Sequence, residues 1–545
     1  MPDRFDILFQ GATIYDGMGG APFEGDVGVR NGKIAAVQRG SRPASAARTD
    51  ARHVFVLNGK ALAPGFIDIH SHSDYSLLIN PLAESKVRQG VTTEVGGNCG
   101  YSAAPISGAA RDERRKLYRE RYGLDPEFSE VEQYLDRLDG QGLSVNYVHQ
   151  VGHNTIRESV MGGADRPPTK GELRTMVDMV ERGMSQGAFG LSTGLVYAPA
   201  CFASLEETAT LAAAARAGLF SVHMRSEGVG LLEAIEEVID IARKSGARLQ
   251  ISHLKTAGRE NWSKLDRAFE LIEEAARAGI DVACDRYPYT ASNTHLSALL
   301  PDWVHDGGNR EALTRLRNPS DRARIREAWR QKSTGYWDNV VISLVNQPEN
   351  KRFEGRNVAA CASETGRDAA DFAMDLLAAE DLWVEVLLLN LMDESNLRQI
   401  LKKPYVFIGS DAEARAHYGA LGEGVPHPRA FGTFPRVLGN LVRGEGLMPL
   451  SEAVARMTLL PAQRVGLFDR GRVSPGMKAD LVVFDPNRIE DMTSFDSSIR
   501  YPEGIEQVMV NGEVTVEENV HLGTRAGRAL RSTGRLPHGG TEAAC

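Results

Sequence analysis

Over residues 1–61 apolar and polar positions alternate in short runs near 7–9, 13–15, 27–29 and 33–35, broken by the turn pairs Asp16-Gly17 and Asn31-Gly32. Side chains two residues apart share a face of an extended chain, so this alternation predicts short, half-buried strands. The same texture returns over 467–521, at 472–473, 480–484 and 508–510, where Asn511-Gly512 offers a hairpin turn. Two strand-rich ends around a different middle predict one small β domain built from both chain ends. Over 62–466 short apolar strands alternate with long amphipathic helices, of which 231–244 and 263–278 are the clearest. Strands read at 66–70, 92–96, 145–149, 188–192, 219–223, 249–253, 281–285 and 405–410. That repeat predicts an α/β fold, a TIM-like (β/α)8 barrel. The stretch from 286 to 404 is too long for one helix, which predicts an insertion after the seventh strand, a lid within 296–350. The Arg/Gly-rich tail, 522–545, is expected to be loosely ordered.

Composition narrows the classes. A net charge of -9 without a long basic run excludes a nucleic-acid partner, and the mixed-sign stretch 111–123 reads as a solvated helix face. There is no apolar run of about 18 residues, so no membrane span is expected. Five cysteines without pattern suggest free thiols in a reducing compartment, the cytoplasm by default. The oligomeric state is left open.

The chemistry begins at GFIDIHSHSD, residues 65–74, which delivers His70 and His72 to one face at a strand's end. Working residues of a β/α barrel sit at the C-terminal ends of its strands. There the chain places Cys99 after the second strand, His223 after the fifth, His253 after the sixth and Asp411 after the eighth. Imidazole and thiolate donors favour zinc, and the set exceeds what one catalytic zinc needs, leaving room for a second position. Zinc lowers the pKa of bound water toward about 7, and Asp411 is placed to take and return its proton. Hydrolysis of a polarised carbon centre, most simply an amide, follows. Other strand-end residues are set aside: His149 and His153 need bind no metal, His417 and His427 read as structural or substrate-adjacent, Cys201 lacks an adjacent base, and Ser192 is not in a GxSxG elbow.

Together with GVTTEVGGNCGYSAAP, GAFGLSTGLVYAPACFAS, HMRSEG, QISHLK, RYPYTAS, HPRAFGTFPRVLG and GMKADLVVFDP, these segments resemble the N-acyl-D-amino-acid deacylases (D-aminoacylases) of the amidohydrolase superfamily. The resemblance spans nearly the whole chain. It implies a tightly held zinc on Cys99, His223 and His253, a weaker second site involving His70 and His72, and Asp411 as acid/base. The fourth strand, GAFGLSTGL, lacks the lysine or glutamate that bridges metals in many superfamily members, which places Cys99 in the bridging role and counts against hydantoinase, dihydroorotase and urease readings. A small-molecule N-acyl-D-amino-acid substrate is implied, its handedness by the resemblance alone. Its carboxylate would meet Arg429, with Tyr287 and Lys255 also facing the mouth. Asp411 is followed by alanine, where the family often has glycine; the loop that follows suggests an altered pocket, and an apolar side chain is the first expectation. Two other readings stand beside this one: hydrolysis of cyclic amides or N-carbamoyl compounds, and a non-catalytic zinc-binding scaffold, which Asp411 disfavours.

Overall fold

The structure, a computed structural model, describes residues 4–40, 51–330, 332 and 335–534. Eight parallel strands form its centre: β1 (Phe66–Asp68), β2 (Val91–Gly96), β3 (Asn146–His149, resuming as Val151–Gly152), β4 (Gly190–Gly194), β5 (Leu219–His223), β6 (Arg248–Ile251), β7 (Val282–Arg286) and β8 (Val406–Ile408). Each pairs in parallel with the next, from Thr93 opposite Asn146 to Cys284 opposite Val406. The seam between β8 and β1 carries no strand ladder. It closes just past the strand ends, where Asp411 N–H donates to the His70 carbonyl (2.8 Å), His72 N–H donates to the Ala412 carbonyl (3.2 Å), and Ser71 bridges Ala412.

The helices wrap the barrel because their apolar positions recur every three or four residues. In Leu231–Ser245, Leu231, Ala234, Ile235, Val238, Ile239 and Ala242 form the buried stripe, and Gly246 ends the helix in the left-handed region at φ 68°. Strands from both chain ends share one nine-stranded sheet: Ala61–Pro64 pairs on one side with Phe5–Ile14 and on the other, antiparallel, with Leu481–Phe484.

Three features differ from the sequence expectations. The insertion extends beyond 296–350 on both sides: a three-stranded antiparallel sheet of Ser292–His295, Glu385–Leu388 and Val340–Leu344 carries helices packed over its own core, including Leu316, Ile325, Trp329 and Phe372. Val340–Leu344 and Glu385–Leu388 are short apolar runs that nothing local distinguishes from barrel strands, and Ser292–His295 is too polar to read as a strand.

The tail is ordered through residue 534, the rest lying outside the described residues. Gly527 N–H donates to the Leu143 carbonyl (2.8 Å), Tyr147 N–H to Arg528 (2.9 Å) and Leu530 N–H to Tyr147 (2.8 Å). Gly527 permits this close approach, since a Cβ there would collide with the Val145 backbone. Third, the helix Gly108–Tyr122 is not simply solvated: Tyr118 stacks on Tyr75 at 4.0 Å, and Arg121 lies 3.6 Å from the Trp383 ring centroid.

Among the described residues, no helix is long and apolar enough to cross a membrane.

Candidate metal and active site

The C-terminal strand ends, the Gly108–Tyr122 helix and the inserted module enclose a cavity of about 1880 Å³. At its floor, donor atoms of His70, Cys99, His253 and Asp411 lie within 4.8 Å of one another, and those of His223, Glu227 and His253 form a second such group. Cys99 Sγ is 3.3 Å from His70 Nε2 and 3.6 Å from His253 Nε2. His72 Nε2 joins from the side, 2.9 Å from Asp411 Oδ1. Cys99, His253 and Asp411 all have left-handed backbone, with φ of 52°, 36° and 52°. For non-glycine residues that conformation costs about 1–3 kcal/mol each and is characteristic of functional sites.

His70 and His253 are oriented from behind by carboxylates. Asp285 Oδ1 accepts from His70 Nδ1 at 2.9 Å, leaving Nε2 free to face the cluster. Glu227 Oε1 lies 2.8 Å from His253 Nδ1 and pairs with Lys255, whose Nζ is itself 2.8 Å from the same Nδ1. Beneath the seam, the fully buried Lys86 donates to Asp68 Oδ2 (2.7 Å), Ser410 Oγ (2.8 Å) and the Ala412 carbonyl (2.8 Å), with Glu94 at 3.3 Å. Ser71 and Ser73, which flank His72, both donate to Glu94 Oε2.

The electrostatics suit a cation. Burial would raise the Cys99 thiol, but charge on His70 and hydrogen bonds from His223, His253 and His70 hold it well below its usual value, as a thiolate. Burial likewise opposes ionisation of Asp411; Arg429, His253, His70 and His72 overcome it and keep the carboxyl well below the ordinary carboxylate range. His223 Nδ1 is buried without a hydrogen-bond partner. A thiolate, convergent imidazoles, a carboxylate and an unpaired ring nitrogen fit zinc.

Of the residues singled out from sequence, the metal candidates and Asp411 meet here. Arg429 is buried with Nη1 2.7 Å from Asp411 Oδ2, and Tyr287 lies beneath it, ring centroid 4.6 Å from the guanidinium. Lys255 reaches the cavity wall but is tied to Glu227. His149 donates from Nε2 to the Ala104 carbonyl (2.7 Å), and His153 bonds Thr193 and Glu207, so both are structural. His427 donates to the Ala291 carbonyl at 3.1 Å and accepts from Arg429 N–H. Sequence reasoning missed Glu227 and Asp285. Each carried a signal: Glu227 stands four residues after His223, and Asp285 is a carboxylate at the end of β7. Lys86 and Glu94 carried none, because only the fold brings Lys86 against Asp68 and Ser410 and Glu94 against Ser71 and Ser73.

Residues 54–516 match the model of the Amidohydrolase family. A D-aminoacylase of Alcaligenes xylosoxydans xylosoxydans is 36% identical over 97% of this chain and 98% of its own length. An N-acyl-D-glutamate deacylase of the same organism is 35% identical, over 97% of both chains. Among solved structures, N-acyl-D-glutamate deacylase from Bordetella bronchiseptica, complexed with zinc and a phosphonate mimic of the tetrahedral intermediate, superposes with a TM-score of 0.81 at 34% identity, covering 97% of this chain and 100% of the other. A D-hydantoinase, at 14% identity and a TM-score of 0.56, shares the fold.

Proposed function

This chain belongs to the amidohydrolase family, and from that premise we propose that it hydrolyses the amide bond of N-acyl-D-amino acids to a carboxylate and a free D-amino acid. The observation that carries the reading is an ionised carboxylate, Asp411, at the centre of a thiolate–imidazole cluster. Purely structural metal sites are closed by their ligands and need no base. Full-length likeness to enzymes named for D-amino-acid substrates supports the handedness.

Cys99, His70, His72, His223 and His253 would hold the metal. Zinc, when bound, supplies a Lewis acid that polarises the acyl carbonyl and acidifies water. Asp411 does the proton work: its ionised carboxylate accepts a proton from the attacking water and returns it to the departing amine. Arg429 pins one oxygen, Oδ2, and leaves Oδ1 toward the histidines, so the accepting lone pair is aimed before substrate arrives. The substrate's carboxylate would lie toward Tyr287, whose hydroxyl is buried without a partner on the cavity wall, beside the ion-paired Arg429 and Lys255.

The test is ninhydrin-detected amine release from N-acetyl amino acids of both hands with apolar, acidic and basic side chains. Release confined to D-substrates, lost by at least about a hundredfold in Asp411→Asn, is the expected outcome. No release from any N-acetyl amino acid would overturn the reading.

A further inference from the structure

Arg286, the last residue of β7, is 1% exposed, and no carboxylate lies within ion-pair distance of it among the described residues. Its Nη2 donates to the Tyr289 carbonyl at 2.7 Å and meets Met392 Sδ at 2.8 Å, while Nε and Nη1 are buried without partners. A buried charge left unpaired costs several kcal/mol. Such an expense is sustained when the charge serves a ligand that arrives later.

The surroundings show which ligand. Three cations converge on the Tyr287 ring: Arg286 at 4.0 Å, Arg429 at 4.6 Å and Lys255 at 5.9 Å from its centroid. Two are already neutralised, Arg429 by Asp411 and Lys255 by Glu227. The excess positive charge around Tyr287 is therefore that of Arg286. Burial would raise the Tyr287 phenol, yet Lys255, Arg286 and Arg429 outweigh it and lower the group, which strengthens it as a hydrogen-bond donor. Tyr287 lines the cavity and Arg286 does not, so Arg286 acts through the ring it covers.

We infer that Arg286 is a positioning residue for substrate: its uncompensated charge, transmitted through Tyr287, makes this wall of the cavity select a carboxylate on the substrate over a neutral group in the same place. The inference rests on the deacylase reading and adds to it the origin of anion selectivity.

The experiment compares wild type, Arg286→Met and Arg286→Lys on an N-acetyl-D-amino acid and on its α-carboxamide. One full charge, at an effective dielectric of about 20 across several ångströms, makes a rise in KM of about tenfold or more the expected result for Arg286→Met on the carboxylate. kcat should stay within about twofold, the carboxamide's kinetics should be unchanged, and Arg286→Lys should recover most of the loss. Melting curves and zinc content verify the fold. If Arg286→Met does not fold, Arg286→Gln, which keeps a donor for the Tyr289 carbonyl, carries the same comparison. Equal losses on both substrates would mean packing alone, and no change on either would also overturn the assignment. Calorimetric titration with the same N-acetyl-D-amino acid reads anion affinity independently of turnover. A protein that binds the anion through Arg286 yet hydrolyses nothing thus contradicts the deacylase reading alone.

Discussion

At the scale of single residues, the site is a set of protonation states held ready for a metal. Burial alone would lower His72, but hydrogen bonds to Asp411 and Cys99 raise it to about 9. His253, lowered by burial and by Lys255, is carried to about 9 by Glu227, Asp411 and Cys99. Both folded-state values lie above the usual 6.5, so these contacts stabilise the metal-free protein fully below that pH and lose their effect as pH rises through about 9. Zinc requires the neutral rings, so its affinity should climb over the same interval, with up to about three protons released at pH 7, from His70, His72 and His253. Calorimetry in buffers of different ionisation enthalpy measures that number; heats independent of buffer would refute it. Much of this scale was legible in the chain, because His70, Cys99, His223, His253 and Asp411 all follow apolar strands. The left-handed backbone at Cys99, His253 and Asp411 was not, since none is a glycine and the strain is imposed by tertiary contacts.

At the scale of elements, the seam between β1 and β8 decides whether His72 and Asp411 meet. Backbone pairing there is reduced to a few bonds, and the ionic cluster of Lys86, Asp68 and Glu94 takes over the closure. Removing the cation leaves two buried carboxylates facing each other, so Lys86→Met should cost about 3–5 kcal/mol in urea unfolding. The folded fraction should also lose kcat as Asp411 drifts from the histidines. A loss under about 1 kcal/mol would show that the seam is held by packing. The barrel strands were readable as apolar runs spaced by amphipathic helices. The inserted sheet was not: Val340–Leu344 and Glu385–Leu388 are equally apolar, and only pairing in space separates them from the barrel. Likewise Gly527 and Arg528 look like solvated tail until the edge of β3 is there to receive them.

At the scale of the whole molecule, the barrel and inserted module line the cavity, and the terminal sheet packs against the barrel, with Phe484 on Phe66. The terminal sheet is shared so that Leu481–Phe484 covers the edge of Ala61–Pro64, and Ile505–Val510 pairs beyond it. A fragment ending at residue 466 would expose that edge and should give no cooperative thermal transition; adding residues 467–545 as a separate chain should restore one. A sharp melt from the fragment alone would show that the barrel folds without the sheet. The alternating pattern at both ends made a shared β domain readable. The register joining them was not, because pairing across the length of the chain leaves no local mark.

That sharing also sets an order of events during synthesis. The ribosome releases the strand Ala61–Pro64 long before its partner Leu481–Phe484, with the entire barrel made in between. At about 5–20 residues per second the gap lasts about 20–80 seconds, during which the nascent chain carries an apolar edge with no native partner. The strand that covers it emerges only after the whole barrel, so demand for chaperones should fall once Leu481–Phe484 has left the ribosome and paired.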